Sequence, residues 1–221
     1  MTERAGSAGP VPGPDGRASR TLPAPAGRQL GARGARTRQR LLEAAEEVFT
    51  ELGYHDASIT KIADAAGVAP GTFYLYFASK LAIFDELIED MNHRVRQAMA
   101  EAASHGETRA EAERLGFRAF FHFTAEHPAL YRLIRQAEFV SPPSLRLHYE
   151  RIVGGYADGL AEAMASGEIA QGDPEVMAWA LMGVGEIIGL RWILWEPGAQ
   201  QLPDEVFDEV FAFVRRALGA R

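Results

Sequence analysis

Between Ser58 and Lys80 the chain reads SITKIADAAGVAPGTFYLYFASK, which leaves room for two short helices joined by a tight turn and for little else. Ser58 can accept a backbone N–H two or three residues on and so start a helix. Ile59, Ile62 and Ala63 then recur at helical spacing and give that helix an inner face. Gly67, after Ala66, supplies the positive φ that ends a helix without a Cβ clash, and Val68 is an apolar plug under the turn. Pro70 suits the first position of a second helix, where its missing N–H costs nothing. Phe73 and Phe77, four apart, face inward; Pro70 with Tyr74, and Thr72 with Tyr76, lie on other faces. Such a pair is a helix-turn-helix, which places its second helix in the DNA major groove. The competing explanation is two ordinary bundle helices with half-buried tyrosines. It predicts no basic surface beside the motif.

The charge distribution supplies that surface. Net charge is −7 over 221 residues, which argues against indiscriminate coating of nucleic acid. Yet residues 17 to 40 hold Arg17, Arg20, Arg28, Arg33, Arg36, Arg38 and Arg40 with no acid among them, and the chain's two lysines, Lys61 and Lys80, both lie in the motif. Basic charge is placed at one end, with Arg36 beside the motif as a candidate contact, while the remainder is acidic. Residues 1–34 are rich in Gly, Pro, Ala and Ser and are expected to form a disordered basic arm, either an inert extension or one lying in the minor groove or along the backbone. Apolar residues make up 47%, ample for a packed core. The absence of cysteine fits a reducing cytoplasm, and no secretory h-region is read at the N-terminus. A cytoplasmic protein is expected.

Gly53-Tyr54, Ser58, Ile62-Ala63, Ala66-Gly67-Val68, Gly71-Thr72-Phe73-Tyr74, Tyr76-Phe77 and Ser79-Lys80-Leu81 fall in one register from about Arg36 to Leu87. In that register the stretch resembles the TetR family of bacterial transcriptional regulators. The resemblance implies that Ser58 caps the second helix against a phosphate and that Thr60 reaches a base. It implies that Pro70, Gly71 and Tyr74 face the bases and that Thr72, Tyr76 and Lys80 meet phosphates. Phe73 and Phe77 match core positions. Two residues depart from the family's pattern. Ala69 stands where a capping Ser is frequent, and Pro70 stands where a longer polar residue is frequent. Contact with a thymine methyl, or readout of DNA shape, would then replace hydrogen-bond readout at Pro70.

The rest of the chain reads as helices. A first runs from about Thr37 to Leu52, and a long fourth from Lys80 to Ala103 connects the reading head to the remainder. A fifth follows the polar break Ser104–Thr108 and runs to Glu126, and a sixth runs to Phe139. Ser141-Pro142-Pro143 is a firm break before a seventh helix. An eighth spans Glu175 to Trp195 and a ninth Glu205 to Leu218. No segment alternates with the period of a strand. The fold class is all-α with about nine helices. An N-terminal three-helix DNA-binding domain with the helix-turn-helix, residues 35–95, precedes a C-terminal helical bundle for ligand binding and dimerisation, residues 96–221.

Val176 to Trp195 is apolar nearly all round, long enough to span a bilayer, but Glu186 and Arg191 interrupt it, each costing about 2.5–3.5 kcal/mol near a membrane centre. No membrane partner is expected. The helix is expected instead to be buried on every side, on its own core and on a second subunit. Gly183, Gly185 and Gly189 allow close approach, and Val206, Phe207, Val210, Phe211 and Val214 give the ninth helix a matching face. A homodimer through the last two helices is expected, and the family resemblance implies the same arrangement. One short recognition helix reads too few base pairs alone.

Aromatic residues concentrate in the middle of the chain. Phe117, Phe121, Tyr131, Phe139, Tyr149, Tyr156 and Trp192, with Glu186, are the candidate lining of a pocket for a hydrophobic or aromatic small molecule. A carboxylate in so apolar a helix needs a partner, from another helix, a second subunit or the ligand. Arg132 and Arg135 are placed to meet phosphate if the molecule is of acyl-CoA type. The function expected is a sequence-specific transcriptional regulator, a repressor released from double-stranded operator DNA by ligand. The alternative is a helical small-molecule-binding or scaffolding protein without DNA binding. Catalysis is not expected: none of the six histidines forms an H-E-x-x-H pair, and there is no phosphate loop or nucleophile elbow. Neither a metal nor a cofactor is expected.

Overall fold

The computed structural model describes residues 31–196, 198–199 and 201–220. The arm expected over residues 1–34 lies outside them up to residue 30. Among the described residues there are nine α-helices and no strand: α1 (Ala32–Asp56), α2 (Ile59–Ala65), α3 (Pro70–Phe73), α4 (Lys80–Ala103), α5 (Arg109–Glu126), α6 (Ala129–Val140), α7 (Pro142–Ser166), α8 (Pro174–Gly189) and α9 (Asp204–Leu218). A π-helical turn, Leu190–Leu194, continues α8.

Local chemistry explains most boundaries. Ser58, Ser79 and Thr108 cap α2, α4 and α5 by accepting the amides of Lys61, Ala82 and Glu111. α1 begins at Ala32 rather than near Thr37, so the last residues assigned to the arm are helical; the Thr37 hydroxyl donates to the Arg33 carbonyl at 3.1 Å. It also runs past Leu52, with a break inside it at Gly53, whose φ is +75°. The Tyr54 amide then leaves the helical ladder and donates to Gln136 Oε1 at 2.6 Å. The break at Ser141-Pro142-Pro143 is narrower than the sequence suggests. Only Ser141 separates α6 from α7, and both prolines sit in the first turn of α7, where no N–H is needed.

Two apolar cores result. The first gathers α1, α2, the Phe73–Phe77 pair and α4 up to Val95, and it takes in Leu130, Leu133, Ile134 and Ala137 of α6. Packing therefore does not stop at residue 95: α6 wedges the bundle against the reading head. The second core joins α5, α7, α8 and α9 around Phe121, Leu160, Leu181, Phe207 and Val214. Within one chain α8 is buried on its core side only, the part of the expectation that a single chain can meet. Val176 is 63% exposed and Ile187 61%, and Trp179, with Phe213 of α9, is also exposed.

Polar contacts tie α4 to its neighbours. Arg38 of α1 pairs with Glu86, Ser144 of α7 donates to Asp85 at 2.7 Å, and Arg151 of α7 meets Glu89 at 2.9 Å. Deeper in this seam, buried Asn92 donates its amide to the His148 carbonyl at 2.9 Å and lies 3.0 Å from His148 Nδ1. Burial pulls the His148 imidazole down to about 4. The folded state thus holds His148 neutral where the unfolded chain protonates it, so the stability it contributes is present above about pH 6.5 and lost as pH falls towards 4. In denaturant titrations across that window the parent chain should lose more stability than His148→Gln. Parallel curves would show that the imidazole titrates alike in both states.

Candidate functional site

The helix-turn-helix is built from outside as well as from within. α2 closes on Gly67, which has φ +63°, with the Val68 amide donating to the Ala63 carbonyl at 2.9 Å. Arg40 of α1 donates to the Ala66 carbonyl beneath the turn. The positive φ favours glycine there, and a Cβ, coming within 2.9 Å of the Arg40 guanidinium, would also push that side chain aside. α3 starts at Pro70 with Ala69 as a cap that makes no side-chain hydrogen bond, the missing bond foreseen from the sequence.

Phe73 and Phe77 are buried in the first core, which turns the opposite side of the helix outward. Thr60, Pro70, Gly71 and Tyr74 are exposed, Tyr74 to 55%. Thr72 and Tyr76 are half-buried and line an open groove with Arg33, Arg36, Thr37 and Arg40 from α1. Three arginines of α1 thus flank the reading helix, at spacings that keep them on neighbouring turns. Leu75, 68% exposed in the turn after α3, was not singled out in the sequence; an apolar side chain between two tyrosines was the available signal. Arg33 and Arg40 were read as charge, not as contacts, because their distance from Thr72 follows only from the α1 packing.

Lys80 is a correction. Its ammonium donates to the carbonyls of Tyr54 at 2.6 Å, Ala57 at 2.8 Å and His55 at 3.4 Å, and lies 4.3 Å from the Tyr54 ring centre. All three hydrogens face the end of α1, so Lys80 fastens the reading head rather than presenting a charge to phosphate.

In the bundle the expected pocket lining separates. Phe117 and Tyr156 line a slot of about 380 Å³ between α4, α5 and α7. Phe121 is buried in the second core against Phe207. Tyr131 is buried with its hydroxyl against Gly189, where any Cβ would collide with it. Trp192 packs on the second core. Phe139 is 81% exposed and is not part of the slot: it sits at the last turn of α6, on the side away from Leu133 and Ala137. Glu186 finds its partner within the chain, accepting the Tyr149 hydroxyl at 2.9 and 3.1 Å, so it needs no ligand for this purpose. Arg191 pairs with Glu196, and Arg132 donates to the Thr50 carbonyl at 3.3 Å on α1.

The sequence reading missed Glu113. It is buried, with Arg109 one helical turn earlier paired to it and the Tyr156 hydroxyl donating to it. Burial raises its pKa, against the opposing pull of Arg109 and Tyr156. The i,i+4 spacing of Arg109 and Glu113 was visible, but such pairs are usually solvated.

Comparisons with known proteins identify relatives of this chain. Residues 41–87 match the family model for bacterial regulatory proteins, tetR family. Over 160 residues the chain is 32% identical to the fatty acid metabolism regulator protein of Bacillus subtilis (strain 168), covering 70% of this chain and 82% of that one. It is 47% identical over 68 residues to the uncharacterized HTH-type transcriptional regulator YdgC of the same organism, covering 31% of this chain and 35% of YdgC. It is 35% identical over 112 residues to the HTH-type transcriptional activator FasR of Mycolicibacterium smegmatis, covering 49% of each. The chain thus spans about a third of YdgC and about half of FasR. The crystal structure of the transcriptional regulator FadR from Bacillus subtilis in complex with stearoyl-CoA superposes with a TM-score of 0.71 at 25% identity, covering 80% of this chain and 96% of that one.

Two substitutions separate fastening from reading. Lys80→Met should lower the free energy of unfolding by about 2–3 kcal/mol, since it strands carbonyls that an ammonium now serves. Tyr74→Ala should change stability by no more than about 0.5 kcal/mol, as befits a surface position. It should nevertheless weaken specific DNA binding about tenfold. Urea titration and gel shift measure the two, and a Lys80→Met protein as stable as its parent would refute the fastening role.

Proposed function

The chain belongs to the TetR family of DNA-binding bacterial transcriptional regulators, and from that premise we propose that it works as a homodimeric repressor released from operator DNA by a hydrophobic small molecule. The observation that carries the reading is the orientation of α3. Phe73 and Phe77 are sunk in the core while Pro70, Gly71 and Tyr74 face outward beside the arginines of α1. Two bundle helices with no partner would have no reason to expose that side next to concentrated positive charge. In this reading Thr60, Pro70, Gly71 and Tyr74 meet bases, and Ser58, Thr72, Tyr76 and Arg36 meet phosphates. Residues 35–95 are the reading head and 96–221 the sensor, in the cytoplasm with the DNA.

A second copy is the natural cover for the apolar side of α8 and α9. Val176, Trp179 and Ile187 recur at helical spacing on α8 and are exposed, as is Phe213 of α9, and single scattered apolar residues would not demand an explanation. Pairing also gives two reading heads at fixed separation, which short recognition helices need. The effector side draws support from the slot between α4, α5 and α7 and from the stearoyl-CoA complex of the structurally similar FadR. Release then follows as population shift: the molecule favours an arrangement in which α4 holds the heads at the wrong spacing.

A gel shift with the DNA upstream of the chain's own coding sequence should show a specific complex that weakens steeply with salt. No complex at low salt would favour the scaffolding alternative. Ile187→Glu should convert the dimer to a monomer in sedimentation and weaken DNA binding by at least about tenfold. An unsubstituted chain that sediments as a monomer yet keeps full DNA affinity would defeat the dimer. Removal of the protein should raise transcription from the bound promoter; a fall would assign activation instead.

A further inference from the structure

We propose that the cleft between the first half of α4 and the start of α7 binds a small aliphatic amine. Asp85 holds the ammonium, and Asn92 Oδ1 accepts from a second donor at the far end of the molecule. The site is separate from the slot and from the DNA-reading surface, and it does not depend on the regulator reading. The cleft measures about 230 Å³. At roughly 30 Å³ for each water-sized group, that is room for a molecule of about seven or eight heavy atoms.

Charge selects a cation. Asp85, Glu86 and Glu89 of α4 line the cleft, and Arg151 is the guanidinium among its lining residues. Arg151 is engaged by Glu89 at 2.9 Å, and Glu86 is served from α1 by Arg38. Asp85 forms no ion pair among the described residues; it accepts from the Ser144 hydroxyl at 2.7 Å, a neutral partner. Lys80, five residues earlier on α4, is turned to the carbonyls of Tyr54 and Ala57. Burial pushes the Glu86 carboxyl up against the pull of Arg38, with Glu89 and Asp90 adding repulsion, so the cleft is short of positive charge. One cation beside Asp85 balances it.

A row of carboxylates on a helix is common, and the second observation is Asn92. It lines the same cleft, is 1% exposed, and lies two turns beyond Asp85, about 10 Å along α4. The His148 carbonyl, 2.9 Å away, accepts only from an N–H, which fixes the Asn92 amide with Nδ2 towards α7. Its Oδ1 is left buried with no partner among the described residues, a rare condition for an acceptor. Ala82, Ile88 and Leu147 supply apolar wall for the methylenes that join the two ends of the ligand. An anion would be repelled by Asp85, and a neutral diol would leave its charge unbalanced.

The full chain should be titrated calorimetrically near neutral pH with the terminally substituted aminopentanol, pentanediol and hydroxypentanoate, together with pentylamine. Aminopentanol should bind about tenfold more tightly than the diol, and the hydroxy acid most weakly. It should also exceed pentylamine by about threefold, the share of Asn92. Asp85→Asn should abolish the preference for amine over diol. Leu147→Trp, at a position 43% exposed on the rim, should obstruct the cleft and weaken both amines without disturbing either core. Equal affinity for amine and hydroxy acid, a preference that survives Asp85→Asn, or amine binding that Leu147→Trp leaves unchanged overturns the site. Equal affinity for aminopentanol and pentylamine overturns the Asn92 contact. Gel shifts on the same preparations keep the readings apart. A chain that binds DNA but no amine overturns the cleft alone, and one that binds the amine but no DNA overturns the regulator reading and leaves the cleft.

Discussion

One ammonium group sets the posture of the reading head. Gly53 breaks α1 with a positive φ, which leaves carbonyls at Tyr54, His55 and Ala57 without helical partners. Unpaired carbonyls at a half-buried helix end are costly. Lys80, the first residue of α4, answers all three, and Gln136 of α6 takes the amide that the same break frees. Three helices therefore meet at one polar knot, with the helix-turn-helix held between the ends of two of them. The Phe73–Phe77 pair supplies the apolar half of the grip, and Arg38, packed over the Phe77 ring and paired with Glu86, closes the side facing α4.

α4 then extends from that knot into a different environment. Its first half is sunk among α1, α2 and α6, and its second half lies along α5 and α7 beside the slot. The seam between α4 and α7 is unusually polar for a helix contact, with Asp85, Glu89 and Asn92 each engaged by a residue of α7. Directional bonds of this kind favour discrete arrangements over gradual sliding. Along α4 these contacts fall about one per turn, at Asp85, Glu89 and Asn92.

Much of this was legible in the sequence, for identifiable reasons. The limits of α4 and α5 follow from capping residues at Ser79 and Thr108, and the buried side of α3 follows from two phenylalanines four apart, so local rules suffice. The errors fall where a long side chain chooses between directions. Lys80 sits at a position from which four methylenes reach either outward or back to α1, and the choice depends on a break at Gly53 that sequence spacing does not report. Glu186 was recognised as needing a partner, but Tyr149 is thirty-seven positions away on another helix. Phe139 looked like the aromatics around it, yet the side of α6 it occupies is decided by which residues meet the first core. The role of α6 itself, as part of the DNA-proximal core, depends on how far the chain folds back and has no local signature.

The Arg40 bond to the Ala66 carbonyl has a consequence for modularity. The bend between α2 and α3 is propped by a side chain from outside the two helices, and the end of α1 is fastened by Lys80 from beyond them. Residues 58–80 grafted onto a foreign scaffold would keep their sequence and lose their angle. The smallest portable reader is α1 through α4, and even that piece leaves behind the wedge of α6. Domain shuffling among chains of this architecture is therefore constrained to cut after the knot, not through it.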